Sequence, residues 1–449
     1  MPTSQAFVEY FRCSQDYANF ESAGDSRVPA GFFRFGTDAI CFGQLSAGFV
    51  AADAKAELHD AGSDVRVENG LCVISFDPDG VIENLRRERY IDNENSAGDG
   101  PIPGGFVRKA YYAARPLLPV SVRKHLQRMS LKGWDQRTFP AWPVDRSVDK
   151  TLEKLMLLAI RTAGVKEVPF IWFWPEGKMG CAIMTHDVET KAGLDFCPSL
   201  MDLNDSYGIK SSFQIIPEGR YQATNQILDG IRNRGFEVNV HDWNHDGHLF
   251  SNSELFLSRV AKINQAVEQF EAKGFRSGGL YRNLNWYNSL NFCYDMSVPN
   301  MGNLDPQPGG CCTVMPYFIG DILEIPLTTT QDYSLFEILR DFSIEVWKRQ
   351  IDLILERQGL ISFDVHPDYV IETRARDTYS RLLDHLTSIV SKRDVWLTLP
   401  GEVNQWWRQR SQMKLVESNG RFHIEGPGKE RARIAYARVE GERVVYTLA

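Results

Sequence analysis

The sequence predicts an α/β chain whose central part, residues 176–405, folds as an irregular parallel (β/α) barrel. A β-rich region precedes it and a small antiparallel β appendage follows it. Three observations point there. From about residue 176 onward, strand, loop and helix patterns repeat seven or eight times over about 230 residues. The helical stretches keep amphipathic spacing, as in Phe256, Val260, Ile263, Val267 and Phe270. Acidic, imidazole and guanidinium side chains collect where apolar runs end, the edge at which parallel barrels carry chemistry.

Residues 1–105 read as a β-rich N-terminal region. The run 65–75 holds an Asn69-Gly70 hairpin signal between apolar stretches. Asn93 to Gly105 is rich in Gly, Pro, Asn and Asp and reads as a loop. Residues 106–175 form a basic, partly helical connector. Within it, Phe106–Lys132 carries Arg108, Lys109, Arg115, Arg123, Lys124, Arg128 and Lys132 and no acidic residue. A patch for an anionic membrane surface or glycan carrier is one reading; the plainer one, which is preferred, is a solvated face that pairs with acidic neighbours.

In the barrel the strand candidates are Cys181–Thr185, Ser212–Ile216, Phe236–His241, Gly274–Ser277, Phe292–Tyr294, Ile322–Ile325, Leu360–Val365 and Val395–Leu399. One helix covers Phe256–Phe270, with Ser251 or Ser253 as its cap. Another carries Tyr379, Leu383, Leu386 and Val390. After Trp406-Trp407 the pattern changes again. In 406–449 the short strands Lys414–Val416, Arg421–Ile424, Ala432–Ala437 and Arg443–Leu448 are separated by glycine-bearing turns.

Composition narrows the function classes. The chain is 43% hydrophobic and 24% charged, as in ordinary globular proteins, and its net charge of −8 argues against general nucleic-acid binding. No apolar run is long enough to span a bilayer. Met1–Phe20 lacks the cationic start and apolar stretch of a secretory signal, so a cytoplasmic location is expected. The eight cysteines form no Cys-x-x-Cys pair, which predicts free buried thiols rather than a thiolate zinc site.

The chemistry-bearing residues follow in order. Asp187 and Glu189 lie two apart at one strand end and would share a face if the strand continues. His241 and His245 lie four apart; a helical turn after the strand would bring both imidazoles to one divalent metal. Of two carboxylates beside a metal, one can ligate while the other stays free as a base. Arg276 and His366 also follow apolar runs. The alternatives are surface histidines, common loop acids, and a core histidine at 366 capping a strand end before Pro367.

Thr185-His186-Asp187-Val188-Glu189, His241-Asp242-Trp243-Asn244-His245, Gly274-Phe275-Arg276-Ser277 and Leu360–His366 resemble, in type and order, the motifs of the polysaccharide deacetylases, the NodB-homology group of carbohydrate esterase family 4. The resemblance covers roughly residues 176–405 and implies a NodB-type barrel. The family's first motif usually reads Thr-Phe-Asp-Asp-Gly. Here Val188 takes the second Asp position, so the likeness is to an Asp-x-acid variant, with Glu189 one methylene longer than Asp. The Pro that usually follows the arginine motif is replaced by Gly278 or its neighbour. The resemblance implies Asp187 as catalytic base, Glu189, His241 and His245 as metal ligands, Arg276 as the partner of Asp187, and His366 as catalytic acid.

Asp242 is expected to hold an imidazole N–H in place. His186 and His248 flank the motifs and read as bystanders that could substitute as ligands, Arg282 is the competitor of Arg276 but reads first as a surface or structural arginine, and Asp295 is expected to line the pocket. The implied activity is metal-dependent hydrolysis, with Zn²⁺ the expected cofactor, removing an N-acetyl group from an amino sugar in a glycan or glycan precursor, as in polysaccharide biosynthesis. The alternatives are an inactive sugar-binding barrel and a hydrolase of a small non-sugar amide.

Overall fold

In the computed structural model, which describes residues 3–22, 29–68, 70–91, 129, 131 and 133–449, the chain is a mixed α/β fold built around a curled, mainly parallel sheet. Its strands are β1 (Gly180–Val188), β2 (Ser212–Ile215), β3 (Glu237–His241), β4 (Gly274–Arg276), β5 (Tyr294–Asp295), β6 (Tyr317–Ile319), β7 (Ile322–Glu324), β8 (Leu360–Asp364) and β9 (Val395–Thr398). The order is β6-β7-β5-β4-β3-β2-β1-β8, with β9 beside the first half of β1. All neighbours are parallel except β6 and β7, whose antiparallel hairpin is the irregular element. The eight strands read from the sequence are all present. β1 continues to Val188, beyond the expected Thr185, because each of its residues is buried on one face or the other.

Between β7 and β8 the ring has no regular ladder. The segment Leu327–Thr330 runs there instead. Thr328 Oγ1 donates to Leu360 O at 2.7 Å and accepts from Ser362 N at 2.9 Å, and Thr329 N reaches Ser362 O at 3.3 Å. A hydroxyl thus supplies the bonds that a strand would have made.

The register brings the candidate residues to one edge. Arg276 pairs with His241, and Asp364 with Thr185. His241, Arg276 and Asp364 each end their strand, Asp187 is the last residue but one of β1, and Glu189 follows it directly. Thr190 caps the next helix, Lys191–Ser206, by accepting from Gly193 N at 3.0 Å, so the chain after Glu189 is held at once. The Ser253–Gln269 helix is capped by Asn252, whose side chain accepts from Leu255 N at 2.9 Å, and not by Ser251 or Ser253. Asn is as good an N-cap as Ser, and Ser253 already lies in the first turn. Trp406 and Trp407 lie inside the helix Pro400–Gln412, so the change of pattern comes after that helix.

Two large apolar clusters support the fold, beside a small one of Leu131, Leu304 and Ile338. One lies between the barrel strands and their helices. The other joins the N-terminal residues, the helix Ser147–Ala163, the aromatic stretch Phe170–Trp174 and the C-terminal strands. The hairpin Ile434–Glu440 and Arg443–Leu448 extends into a three-stranded antiparallel sheet through Glu167–Ile171. Arg66–Glu68 and Leu71–Ile74 pair antiparallel on either side of the Asn69-Gly70 position, with Glu68 opposite Leu71. All eight cysteines are free, and seven of them are buried. Among the described residues no helix is long and apolar enough to cross a membrane. Most of the basic run Phe106–Lys132 lies outside the described residues.

Candidate active site

At the carboxyl edge of the sheet, β1, β3, β4 and β8 and the turns after them bring together Asp187, Glu189, His241, His245, Arg276 and His366. Asp187 and Glu189 project to the same side, while Val188 between them is buried in the core, as strand alternation requires. His241 Nε2 lies 3.5 Å from Asp187 Oδ2 and 3.8 Å from Glu189 Oε1. His245 Nε2 lies 2.8 Å from Glu189 Oε1 without the alignment of a hydrogen bond. His366 Nε2 is 3.6 Å from the same oxygen. Ligating atoms of Glu189, His241 and His245 fall within 4.8 Å of one another.

The two imidazoles do not meet through a helical turn. Residues 242–248 form an irregular loop, with Asp242 and His245 both in the left-handed region at φ 56° and 54°. Such conformations cost energy in residues other than glycine and persist only where the surroundings hold them. Asp242 N donates to Arg276 O at 2.8 Å, and Arg220 Nη2 donates to His245 O at 2.8 Å. Gly278 allows the loop to pack closely: a Cβ there would come within 2.6 Å of Asp242 Oδ2 and 2.9 Å of His245 Cδ2. The result is a ring-centroid separation of 4.8 Å between the imidazoles.

His241 Nδ1 lies 3.0 Å from the Arg276 carbonyl, which can only accept, so Nδ1 carries the proton and Nε2 the lone pair in the neutral ring. That Nε2 is buried and has no hydrogen-bond partner among the described residues. A buried acceptor without a donor, beside a second imidazole and a carboxylate, fits a borderline divalent cation. The electrostatics agree. Burial opposes charge on His241, yet Asp187 and then Glu189 push its pKa up to about 9. Burial likewise opposes ionisation of Glu189, but the surrounding histidines hold its carboxyl well below the usual range. Groups that attract a proton this strongly would also favour a cation in its place.

Arg276 fixes the acidic side. Its Nη1 donates to Asp187 Oδ1 at 2.9 Å and to Thr185 Oγ1 at 2.8 Å, and lies 3.1 Å from Asp364 Oδ1. Its Nε donates to Met296 O at 2.9 Å. Burial raises the Asp187 pKa, but Arg276 and then His241 outweigh it and leave it lowered. Asp364, buried and next to Asp187, is pushed up to about 7 despite Arg276. His366 Nδ1 pairs with Asp332 Oδ1 at 2.6 Å, and His366 N donates to Asp332 Oδ2 at 2.8 Å. Burial opposes its charge, but Asp332 and Asp364 keep the imidazolium well above its ordinary pKa.

Above the cluster opens a cavity of about 460 Å³, with Asp187, Glu189, His245 and His366 in its lining and Arg220, Tyr281, Asp305 and Tyr369 among its walls. That volume lies in the range of small-molecule sites, about 300–1,000 Å³.

The remaining sequence candidates lie elsewhere. His186 faces the helix layer, with Nδ1 2.7 Å from Val365 O and Nε2 3.0 Å from Asn204 Nδ2; burial lowers its pKa to about 4, so it is a neutral core histidine and no substitute ligand. His248 is exposed in the loop against Ser251. Arg282 forms a buried ion pair with Glu88, which leaves Asp187 to Arg276 alone. Asp295 is enclosed by Tyr287 and Ser297 in the barrel interior and does not line the cavity. Asp242 holds no imidazole: its Oδ1 accepts from Trp243 N at 2.6 Å, and the Arg276 carbonyl does the work at His241. Sequence reasoning missed Asp332 and Asp364. The second had a signal, because Asp364-Val365-His366 repeats the pattern of Asp187-Val188-Glu189, a carboxylate and a second polar site residue either side of a valine.

No family model matches this sequence, and no curated protein is similar to it by sequence. Solved structures similar to part of this chain include the following three. One is described as a "putative polysaccharide deacetylase" from Mycobacterium smegmatis, 17% identical, covering 53% of this chain and 93% of that one, with a TM-score of 0.43. PuuE allantoinase is 12% identical, covering 52% and 93%, at 0.42. Peptidoglycan deacetylase PdaC from Bacillus subtilis is 15% identical, covering 51% and 93%, at 0.31.

Proposed function

We propose that the chain is a metal-dependent hydrolase that breaks a non-peptide C–N bond, removing an N-acetyl group from an amino sugar of a glycan or glycan precursor. The observation that carries this reading is the meeting of Asp187, Glu189, His241, His245 and His366 at one strand edge beneath a cavity. The motif resemblance supports the same chemistry and supplies the choice of substrate.

Glu189, His241 and His245 would hold the ion. A bound divalent cation, with zinc the best match to two imidazoles and a carboxylate, acidifies water and stabilises negative charge on a carbonyl oxygen. Asp187, kept ionised by Arg276, accepts a proton from the attacking water. His366, kept protonated by Asp332 and Asp364, gives its Nε2 proton to the departing amine. Acetate and a free amino group result. A weak hold of Phe106–Lys132 on an anionic membrane belongs to the same reading on charge alone, and co-sedimentation with anionic vesicles at low and high salt tests it.

Elemental analysis of the purified protein and of His241→Ala tests the ligand set. One divalent ion per chain, lost in the variant, supports it. Full occupancy in a folded His241→Ala variant contradicts it. Release of a product other than acetate, from a small cyclic or linear amide, would favour the non-sugar alternative.

A further inference from the structure

A second cavity, of about 350 Å³, lies at the opposite end of the barrel. Its walls come from the turn before β7, the last turn of the helix Pro400–Gln412, the N-terminal helix Gln5–Phe11 and the end of the helix Pro78–Arg86. The parallel strands β5 and β7 begin here. Arg408 Nη2 donates at 2.6 Å both to Cys293 O, just before β5, and to Asp321 O, just before β7. The catalytic cluster lies at the other ends of these parallel strands.

Four arginines, Arg12, Arg86, Arg408 and Arg410, are among the residues lining this cavity, against two acidic residues, Glu9 and Asp321. In a chain of net charge −8 this is a local inversion of sign. Arg410 is buried and spends its donors on main-chain carbonyls: Nε on Trp172 O at 2.9 Å, and Nη2 on Tyr10 O and Ile171 O at 2.8 and 2.7 Å. Those bonds go to neutral carbonyls and leave its charge without a carboxylate partner among the described residues. Burial, and then Arg12, lower its pKa to about 9.

Arg86 is more telling. It is 8% exposed, its Nε has no hydrogen-bond partner, and no carboxylate among the described residues pairs with it; its guanidinium stands 5.2 Å from the Tyr317 ring. Trp407, 5% exposed, also has its Nε1 without an acceptor among the described residues. The charges of Glu9 and Asp149 act on Arg86, but neither carboxylate makes an ion pair with it. An anion in the cavity would supply the close counter-charge that Arg86 lacks.

The excess of two positive charges over negative ones matches a phosphate monoester, which carries close to two negative charges at neutral pH. Guanidinium groups converging from separate elements suit its several oxygens. The volume exceeds that of a bare anion and lies among small-molecule sites, while the rings of Tyr317, Phe318 and Trp407 offer apolar wall to an organic group. We propose that this cavity binds a small organic phosphate, with the phosphate at Arg86 and the organic part against Tyr317 and Trp407. The site is separate from the catalytic cluster and does not depend on the function proposed for it.

Isothermal titration of the full chain at constant ionic strength tests this, with inorganic phosphate, glucose 6-phosphate, AMP and benzoate as probes. At least one monoester should bind more tightly than inorganic phosphate, and benzoate should not compete. Binding by the sugar phosphate or by the nucleotide identifies the source, and either supports the site. Arg86→Gln should weaken binding about ten-fold or more, the loss expected for a charge-assisted contact. Gln412→Glu, at an exposed rim residue and so without a packing cost, should weaken it several-fold by repulsion. No binding of any phosphate, equal binding of benzoate, or unchanged affinity in both variants would overturn the proposal.

Discussion

Asp332 holds His366 at two points: Oδ1 lies 2.6 Å from Nδ1, and Oδ2 accepts the His366 main-chain N–H at 2.8 Å. One carboxylate therefore sets both the ring's orientation and its charge, and leaves Nε2 as the proton that can be given away. Asp332 reaches the site from Leu327–Thr330, the segment that closes the barrel where a ladder is missing.

Asp332→Asn should remove the charge that favours the imidazolium while keeping the side chain's shape. Because Asp332 raises the His366 pKa, its loss lowers that pKa, and the alkaline limb of the kcat profile should move to lower pH. A fall in kcat of about ten- to a hundred-fold, at nearly constant KM, fits a residue that positions an acid. A pH–rate profile on both proteins checks this; an unmoved alkaline limb would remove Asp332 from the role.

Asp187→Asn should keep the metal and lose turnover, by about a hundred-fold or more, because an amide cannot accept the water's proton. Metal content and kcat measured on the same sample separate this from loss of a ligand.

Gly278→Ala should disturb the loop that carries His245, since the added methyl would press on Asp242 Oδ2 and His245 Cδ2. Displacement of one ligand should weaken metal affinity by about ten-fold or more while thermal stability changes little. Competition with a chromogenic chelator reads the affinity. Unaltered affinity would show that the close approach is not needed to place His245.

His186 should make the fold sensitive to acid. Its folded pKa is depressed to about 4 by burial, against 6.5 for the free group. Below about pH 6.5 the unfolded chain takes up a proton that the folded chain refuses, so stability falls as pH drops toward 4. The slope from this one group approaches about 1.4 kcal/mol per pH unit, and the total loss is about 3 kcal/mol. Urea unfolding between pH 7 and 4.5 should show a shallower decline in His186→Gln than in the parent chain. Parallel declines would mean that His186 is already charged in the fold.

Much of this was legible in the sequence because strand ends are marked by composition. Apolar runs stop at Asp187, His241, Arg276 and His366, and the sheet carries those stops to one edge. What was misjudged depended on local backbone. The His241–His245 spacing suits a helix, but Asp242 and His245 adopt left-handed conformations instead, held by tertiary hydrogen bonds that no periodicity announces. Asp332 was missed because it follows a run of threonines whose role, closing the barrel through side-chain bonds, leaves no alternating pattern. His186 adjoins Asp187 and so stood as a minor candidate ligand beside its reading as a bystander; neighbours on a strand face opposite ways, and it lies in the core.

The most direct measurement is acetate release by the zinc-reconstituted chain from a panel of N-acetyl amino sugars, free, nucleotide-linked and lipid-linked. We expect release from at least one of them, abolished by chelation and restored by added zinc. A folded chain that holds one ion at Glu189, His241 and His245 and frees no acetate from any of these substrates would contradict N-deacetylation as its function.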